Sequence, residues 1–174
     1  MAHDWNIITA GPSAGKSSTI RELSARGYRT GPEAARILFD QCISEGGDPE
    51  QLRRADDFHE QVEAIDLRIE SNLSEEVTFL DRSLADNIAY RRHFDNPVPD
   101  ELFERCRGRY DNVLLLERIR FRDDEVRSED EAEARELHGE IRAAYRDLGY
   151  DVTDVPLMPV DERADFIEEI VFGE

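Results

Sequence analysis

The residues Ala10-Gly-Pro-Ser-Ala-Gly-Lys-Ser17 carry the most legible chemistry in the chain. Read as Gly11, Pro12, Ser13, Ala14, Gly15, Lys16, Ser17 and the following Ser18, they fit a phosphate-binding loop, [Ala/Gly]-x-x-x-x-Gly-Lys-Ser. Small residues let backbone N–H groups turn inward around phosphate oxygens. Lys16 is the only lysine among 22 basic residues. It is a compact charge on a flexible stem, suited to reaching between terminal phosphates, where the planar fork of an arginine does not substitute freely. Ser17 carries the hydroxyl that can ligate Mg²⁺. The first position is Ala10 rather than Gly, which a negative φ tolerates.

Three further groups follow short apolar runs. Glu33 lies in Gly31-Pro-Glu-Ala-Ala-Arg36. It is either a base or hydrogen-bonding anchor for an acceptor hydroxyl, or an acidic residue suited to the first turn of the next helix. Asp81 follows Val77-Thr-Phe-Leu80. It is either the acid that holds Mg²⁺, through water, opposite Ser17, or a helix N-cap. Arg82 beside it would face a phosphate or a substrate anion. Lastly, Glu117-Arg-Ile-Arg-Phe-Arg-Asp-Asp-Glu-Val-Arg127 places arginines at 118, 120, 122 and 127. Such a segment is either a lid that neutralises a moving phosphoryl group or an exposed stretch paired with its own acids. Arg118, Arg120 and Arg127 are the lid candidates.

These residues need elements to position them. Trp5–Thr9 is a β-branched apolar run entering the loop, and the residues after it carry Ile20 and Leu23 at helical spacing, with a stop at Gly27. Tyr28–Thr30 predicts a weak second strand ended by Gly31-Pro32. A helix over Glu33 to about Ser44 follows, then a break at Gly46-Gly-Asp-Pro49. Phe58, Val62, Ile65, Ile69 and Leu73 mark one face of a long amphipathic helix. Val77–Leu80 is a buried strand, helical stretches lie near 84–93 and 99–107, and Asn112–Leu116 is the clearest strand. A helix runs through Ala134, Leu137, Ile141, Tyr145 and Leu148 to Gly149. Tyr150–Val155 is the last strand and 160–172 the last helix. Five strands alternating with helices imply an α/β architecture, an open parallel sheet with helices on both faces. Ligands then gather outside the carboxyl ends of the strands, after Thr9, Thr30, Leu80, Leu116 and Val155.

Composition bounds the partners. At 174 residues the expectation is one domain spanning 1–174. A net charge of −19 argues against general nucleic-acid binding. Acidic excess with near-total loss of lysine suits concentrated salt, which screens self-repulsion, although an ordinary acidic cytoplasmic protein shares the sign. Cys42 and Cys106 are too few for a disulfide framework and lack metal-ligand spacing, in keeping with a reducing cytoplasm. His3, His59, His93 and His138 are scattered. No membrane span is expected.

Taken in order, Gly11-Pro-Ser-Ala-Gly-Lys-Ser17, Pro32-Glu-Ala-Ala-Arg36, Asp81-Arg-Ser-Leu-Ala-Asp86, Asp124-Glu-Val-Arg127 and Val160-Asp-Glu-Arg163 resemble the single-domain P-loop "AAA domain" ATPase/kinase family. That family is related to the ribosylnicotinamide kinase module and, more distantly, to thymidylate and deoxynucleoside kinases. The resemblance implies a P-loop NTPase three-layer sandwich with a five-stranded sheet of order 2-3-1-4-5, ATP with Mg²⁺, and a kinase-like site. It puts Glu33 and Asp81-Arg82 at the acceptor and Arg127 in the lid, where this chain has Glu125 in place of the family's usual Gly.

The reading that follows is a kinase passing the γ-phosphoryl of ATP to a nucleoside, nucleotide or similar small-molecule acceptor, working as a monomer or homodimer. The alternatives are an NTPase that acts as a partner-coupled switch and a non-catalytic nucleotide sensor. A Ras-like GTPase is disfavoured because, with Lys16 the only lysine, no Asn-Lys-x-Asp motif exists. A ring-forming motor is disfavoured because no residues remain for a helical lid domain.

Overall fold

The computed structural model of the chain describes residues 4–12, 14–118 and 128–173. Five strands form one parallel sheet: β1 Trp5–Thr9, β2 Arg29–Gly31, β3 Thr78–Asp81, β4 Asn112–Leu116 and β5 Val152–Val155. Their order is β2-β3-β1-β4-β5. Among the described residues eight helices accompany them: α1 Lys16–Ala25, α2 Ala34–Ser44, α3 Pro49–Arg53, α4 Phe58–Ser71, α5 Asp86–His93, α6 Asp100–Cys106, α7 Ser128–Asp147 and, after β5, α8 Val160–Phe172. The expected doubly covered α/β sheet of order 2-3-1-4-5 is thus the one found.

Burial on both faces explains why the central strands β1, β3 and β4 read as largely apolar runs rather than alternating ones. Successive side chains of one strand point to opposite faces. Ile7, Leu80, Val113 and Leu115 join one core with Leu84 of the turn before α5 and with residues of α5, α6 and α7, including Ile88, Leu102, Ile141 and Tyr145. Ile8, Phe79, Leu114 and Leu116 join the other, against Leu23 of α1 and Ala164 and Ile167 of α8. A smaller cluster of Ala34, Leu38 and Val62 pins α2 to α4.

Boundaries differ from the sequence reading by small amounts with identifiable causes. β2 runs one residue later than expected because Gly31 pairs with Leu80. A Cβ at Gly31 would stand 2.3 Å from Leu80 Cδ2, so only glycine lies flat at that register. Asp81 does not follow β3 but is its last residue, in register with Ile8. β5 starts two residues late because Tyr150 is used elsewhere: its hydroxyl accepts from the Arg109 amide at 2.7 Å and donates to the Cys106 carbonyl. The short helix α3 was not anticipated. Asp48 caps it, accepting from the Glu50 amide at 2.9 Å, and Pro49 fills its first turn. Asp-Pro in that order was a helix-start signal read as a break. Among the described residues no helix is long and apolar enough to cross a membrane.

Candidate active site

The phosphate loop is shaped by two contacts from distant elements. β1 ends at Thr9 and the chain turns at Gly11, whose N–H donates to His138 Nδ1 of α7 at 3.1 Å. His138 Nδ1 must therefore be unprotonated. Burial and the guanidiniums of Arg142 and Arg118 keep the ring's pKa below its ordinary value, which favours that acceptor form. A Cβ at Gly11 would sit 2.9 Å from His138 Cβ and 3.0 Å from the Ala134 carbonyl. Gly15 has φ of 73°, in the left-handed region, and serves as N-cap of α1 without any side-chain cap. Lys16 therefore opens α1, with Ser17 and Ser18 half-buried in its first turn. The N–H groups of that turn have no intrahelical acceptors and no acidic side chain accompanies them. Such an end attracts an anion.

Lys16 is buried, and its ammonium lies between two carboxylates. It contacts Asp81 and stands 3.2 Å from Glu33 Oε2. The other Glu33 oxygen accepts from Arg82 Nε at 3.2 Å. Arg82 has φ of 65°, a left-handed backbone that costs an L-residue roughly 1–2 kcal/mol. Its guanidinium is held in place by Glu33, by Asp86 at 3.5 Å and by the face of the Tyr90 ring at 5.2 Å. Asp86 organises the turn behind it. This carboxylate accepts from the Ser83 amide at 2.9 Å, from Tyr145 OH at 2.6 Å and from the Thr9 hydroxyl. It therefore joins the ends of β1 and β3 to α7.

Neither acid makes a side-chain cap bond. Glu33 stands at the N-cap position of α2 but makes no side-chain cap bond. Its carboxylate reaches across to Lys16 and Arg82 instead. Asp81 caps nothing, since α5 begins five residues later with Ala85 at its N-cap. The electrostatics of the two acids diverge. Burial would raise the Glu33 pKa, but Arg82 and Lys16 outweigh it and hold the carboxyl below its usual range. Burial at Asp81, helped by the charge of Glu33, prevails over Lys16 and pushes that pKa up.

Beyond Glu33 and Arg82 opens a cavity of about 640 Å³ walled by α2, α4, α5 and α7. Phe39 and Phe58 stack with ring centroids 5.6 Å apart on one side of it, and His59, Tyr90 and Phe94 add further rings. Deeper in, Asp66 accepts from Asn87 Nδ2 at 2.7 Å. Burial drives the Asp66 pKa well above the usual carboxylate range, which favours its protonated form.

Of the residues expected to form the site, Gly11, Pro12, Ala14, Gly15, Lys16, Ser17, Glu33, Asp81 and Arg82 gather at the carboxyl ends of β1, β2 and β3. Arg118 stands beside them, donating to the Pro12 carbonyl at 3.2 Å while its Nη groups bond Glu131 at 3.0 and 3.2 Å. Ser13, Arg120 and Arg127 lie outside the described residues. Asp86, Asp66, His138 and Tyr145 were not singled out. Asp86 closes the Asp81-Arg-Ser-Leu-Ala-Asp86 run, and an acid five residues past a strand-end acid was the available signal. The others left none, being brought in from far along the chain. Among the described residues, no cluster of three or more His, Cys, Asp or Glu could hold a metal by itself. The Ser17 hydroxyl and Asp81 carboxylate are hard oxygen donors, which fit a Mg²⁺ ion held mainly by phosphates and water.

Comparison with known proteins agrees with the fold. No curated protein matches the chain. Among solved structures, the NadR protein in complex with NR superposes with a TM-score of 0.67 at 18% identity, over 98% of this chain and 50% of that one. The chain thus spans half the length of that structure. Thymidylate kinase from Candida albicans gives a TM-score of 0.59 at 15% identity, covering 98% of this chain and 92% of the other. Deoxyadenosine kinase from M. mycoides, with dCMP and dCDP bound, gives 0.54 at 17% identity, covering 98% and 100%. The fold is accordingly that of P-loop kinases. A match to the AAA domain family runs over residues 5–163, through the phosphate loop, Glu33, Asp81-Arg82 and Arg163, and the chain belongs to that family.

Proposed function

We propose that the protein is a Mg²⁺-dependent kinase that transfers the γ-phosphoryl of ATP to a hydroxyl of a small molecule held in the 640 Å³ cavity. The observation that carries this reading is Glu33, whose carboxylate touches the loop lysine on one side and the cavity arginine on the other. Hydrolysis alone needs a phosphate loop and a metal. It has no use for an aromatic chamber sharing a carboxylate with that loop.

The contacts of Lys16, Glu33 and Asp81 suggest how binding prepares the chemistry. Phosphates arriving at the loop compete for Lys16, and both Glu33 and Asp81 then lose a cation. Asp81 and the Ser17 hydroxyl are the groups that would hold Mg²⁺ carried by the nucleotide. The ion supplies charge neutralisation at the phosphoryl oxygens. Glu33, still anchored by Arg82, turns its released oxygen to the acceptor hydroxyl. With Lys16 withdrawn its pKa rises toward the ordinary value, making it a better proton acceptor. The acceptor oxygen forms its bond to phosphorus as the β–γ bridging bond breaks, and the hydroxyl proton passes to Glu33. Arg82 contributes positive charge beside the moving group.

The chamber's charge favours a hydroxyl over a phosphate acceptor. Besides Asp66, whose burial favours the neutral form, its walls carry five carboxylic acids (Glu33, Asp86, Asp130, Glu131, Glu133) against Arg53, Arg82 and Arg118. Arg82 is engaged by Glu33 and Asp86, Arg118 by Glu131, and Arg53 lies 3.6 Å from Glu50. A monophosphate would meet repulsion there, whereas a planar-ringed alcohol would find stacking faces.

The test is ADP release with Mg-ATP in molar KCl, with and without nucleosides, nucleoside monophosphates and ribosylnicotinamide. A rate that jumps with a ring-bearing alcohol supports the kinase reading. Slow release indifferent to every acceptor supports the hydrolase or switch instead. Glu33→Gln should lower acceptor-dependent transfer by about 10²-fold or more, with ATP affinity kept within a few-fold. Equal losses in both would make Glu33 a structural residue.

A further inference from the structure

Arg163 belongs to the quoted motifs and has no task in the mechanism above. It sits in the first turn of α8, 3% exposed, against the back of the phosphate loop. Its Nη1 donates to the Ala14 carbonyl at 3.3 Å, the Gly15 carbonyl at 3.4 Å and Thr19 Oγ1 at 3.1 Å. Its Nη2 donates to the Met158 carbonyl at 3.2 Å. The Nε group is buried with no hydrogen-bond partner. Among the described residues no carboxylate pairs with this guanidinium. Arg91, the other fully buried arginine among them, is clasped by Glu60 and Glu63. Among the described residues of a chain with 41 acids, this buried cation stands without an acidic partner.

A buried unpaired charge is costly, and replacing or pairing it would be the ordinary solution. Its surroundings give it a purpose. A trans peptide points its C=O and its N–H in opposite directions. Carbonyls 14 and 15 drawn back onto Arg163 therefore aim the N–H groups of Gly15 and Lys16 forward, to the front of the loop. Glycine at 15 suits this contact: its φ of 73° strains other residues, and a Cβ there would stand 2.9 Å from Arg163 Nη1.

We propose that Arg163 is a positioning residue for polyphosphate: its guanidinium orients the Gly15 and Lys16 amides from behind and holds a positive charge that bound phosphates compensate. The assignment rests on the loop binding a nucleoside polyphosphate. Burial keeps the field of this cation unscreened by solvent, so it acts across the one layer of backbone that separates it from the ligand. The effect should grow with the number of phosphates and be indifferent to the rest of the nucleotide.

Calorimetric titration of the full chain with Mg-ATP, Mg-ADP and AMP tests this, using the unaltered protein, R163K and R163Q. The unaltered protein must bind ATP and ADP more tightly than AMP, or the polyphosphate reading of the loop itself fails. Given that, R163Q should weaken ATP and ADP by about tenfold or more, as loss of a charge-assisted interaction does, and shift AMP less than twofold. R163K keeps the charge and should stay within about threefold of the unaltered protein for all three. Equal loss for AMP and ATP, or ATP binding by R163Q at the unaltered affinity, overturns the assignment. Should R163Q fail to fold, R163K alone decides: a tenfold fall in its ATP-to-AMP preference overturns the assignment, and a preserved one upholds it.

Discussion

Lys16 holds together a site it is also expected to serve. Removing its ammonium leaves Glu33 and Asp81 facing each other with little solvent, and breaking a buried pair by deleting one partner costs about 3 kcal/mol. Lys16→Met should therefore abolish phosphoryl transfer and also lower stability measurably in urea. Adding Asp81→Asn to it should restore most of that stability without restoring activity. If Lys16→Met were fully active, the site assignment would be lost. Asp66 gives a prediction of opposite sign. Its folded pKa is raised, chiefly by burial, so the folded state binds a proton more readily than the unfolded chain. That costs nothing below the unfolded carboxyl pKa and progressively more as pH climbs through the folded value. Asp66→Asn, which still accepts from Asn87, should leave the melting temperature unchanged near pH 3.5 and raise it near pH 8. A melting temperature lowered at pH 8 would show that the ionised acid is needed there.

At the scale of elements, α7 joins the parts of the site. It supplies His138 to the Gly11 amide, Tyr145 to Asp86 and Glu131 to Arg118. It is held to α5 by His93, whose Nδ1 lies 2.7 Å from Glu140 and whose Nε2 lies 3.3 Å from Glu133, and by the more exposed Arg92–Asp147 pair at 2.8 Å. Burial alone would lower the His93 pKa, but the two glutamates prevail and raise it. A raised histidine pKa stabilises the fold fully below the unfolded value near 6.5, and that contribution disappears as pH rises through the folded value. His93→Gln should thus destabilise the protein at pH 5.5 and make little difference at pH 9, read as melting temperature against pH. A destabilisation that does not change with pH would assign His93 to packing alone. Elements such as β4 and α8 were legible in sequence because burial on two faces or one writes a continuous or 3.6-residue apolar pattern. The site's loop lysine and strand-end acids were legible because each follows such a run. What holds them was not. Gly11 and His138 are 127 residues apart, Thr9 and Asp86 are 77 apart, and no local pattern marks such pairs. Nor does the left-handed backbone of Arg82 show in its residue type, because only the surrounding acids and the Tyr90 ring fix it.

For the whole molecule, the charge of −19 sets the terms. Ion pairs on the surface, such as Arg105–Glu101 and Arg29–Glu76, are exposed and contribute little each. The excess of 19 negative charges has no partners to lose when salt is added. Screening should therefore relieve more repulsion than attraction, and the melting temperature should rise with KCl. The shape of the rise distinguishes two causes. The Debye length shrinks from about 10 Å at 0.1 M to about 3 Å at 1 M, so relief of self-repulsion is nearly complete by about 1 M. Strengthened apolar burial continues beyond that point and depends on the anion, more with sulfate than with chloride. A melting curve series from 0.1 to 3 M KCl, repeated in potassium sulfate at equal ionic strength up to the solubility limit, separates them. Stabilisation that levels off near 1 M and is the same in both salts identifies charge screening as its cause. A melting temperature that falls with KCl would mean that the ion pairs outweigh the net charge. The acidic composition would then have to be explained without concentrated salt.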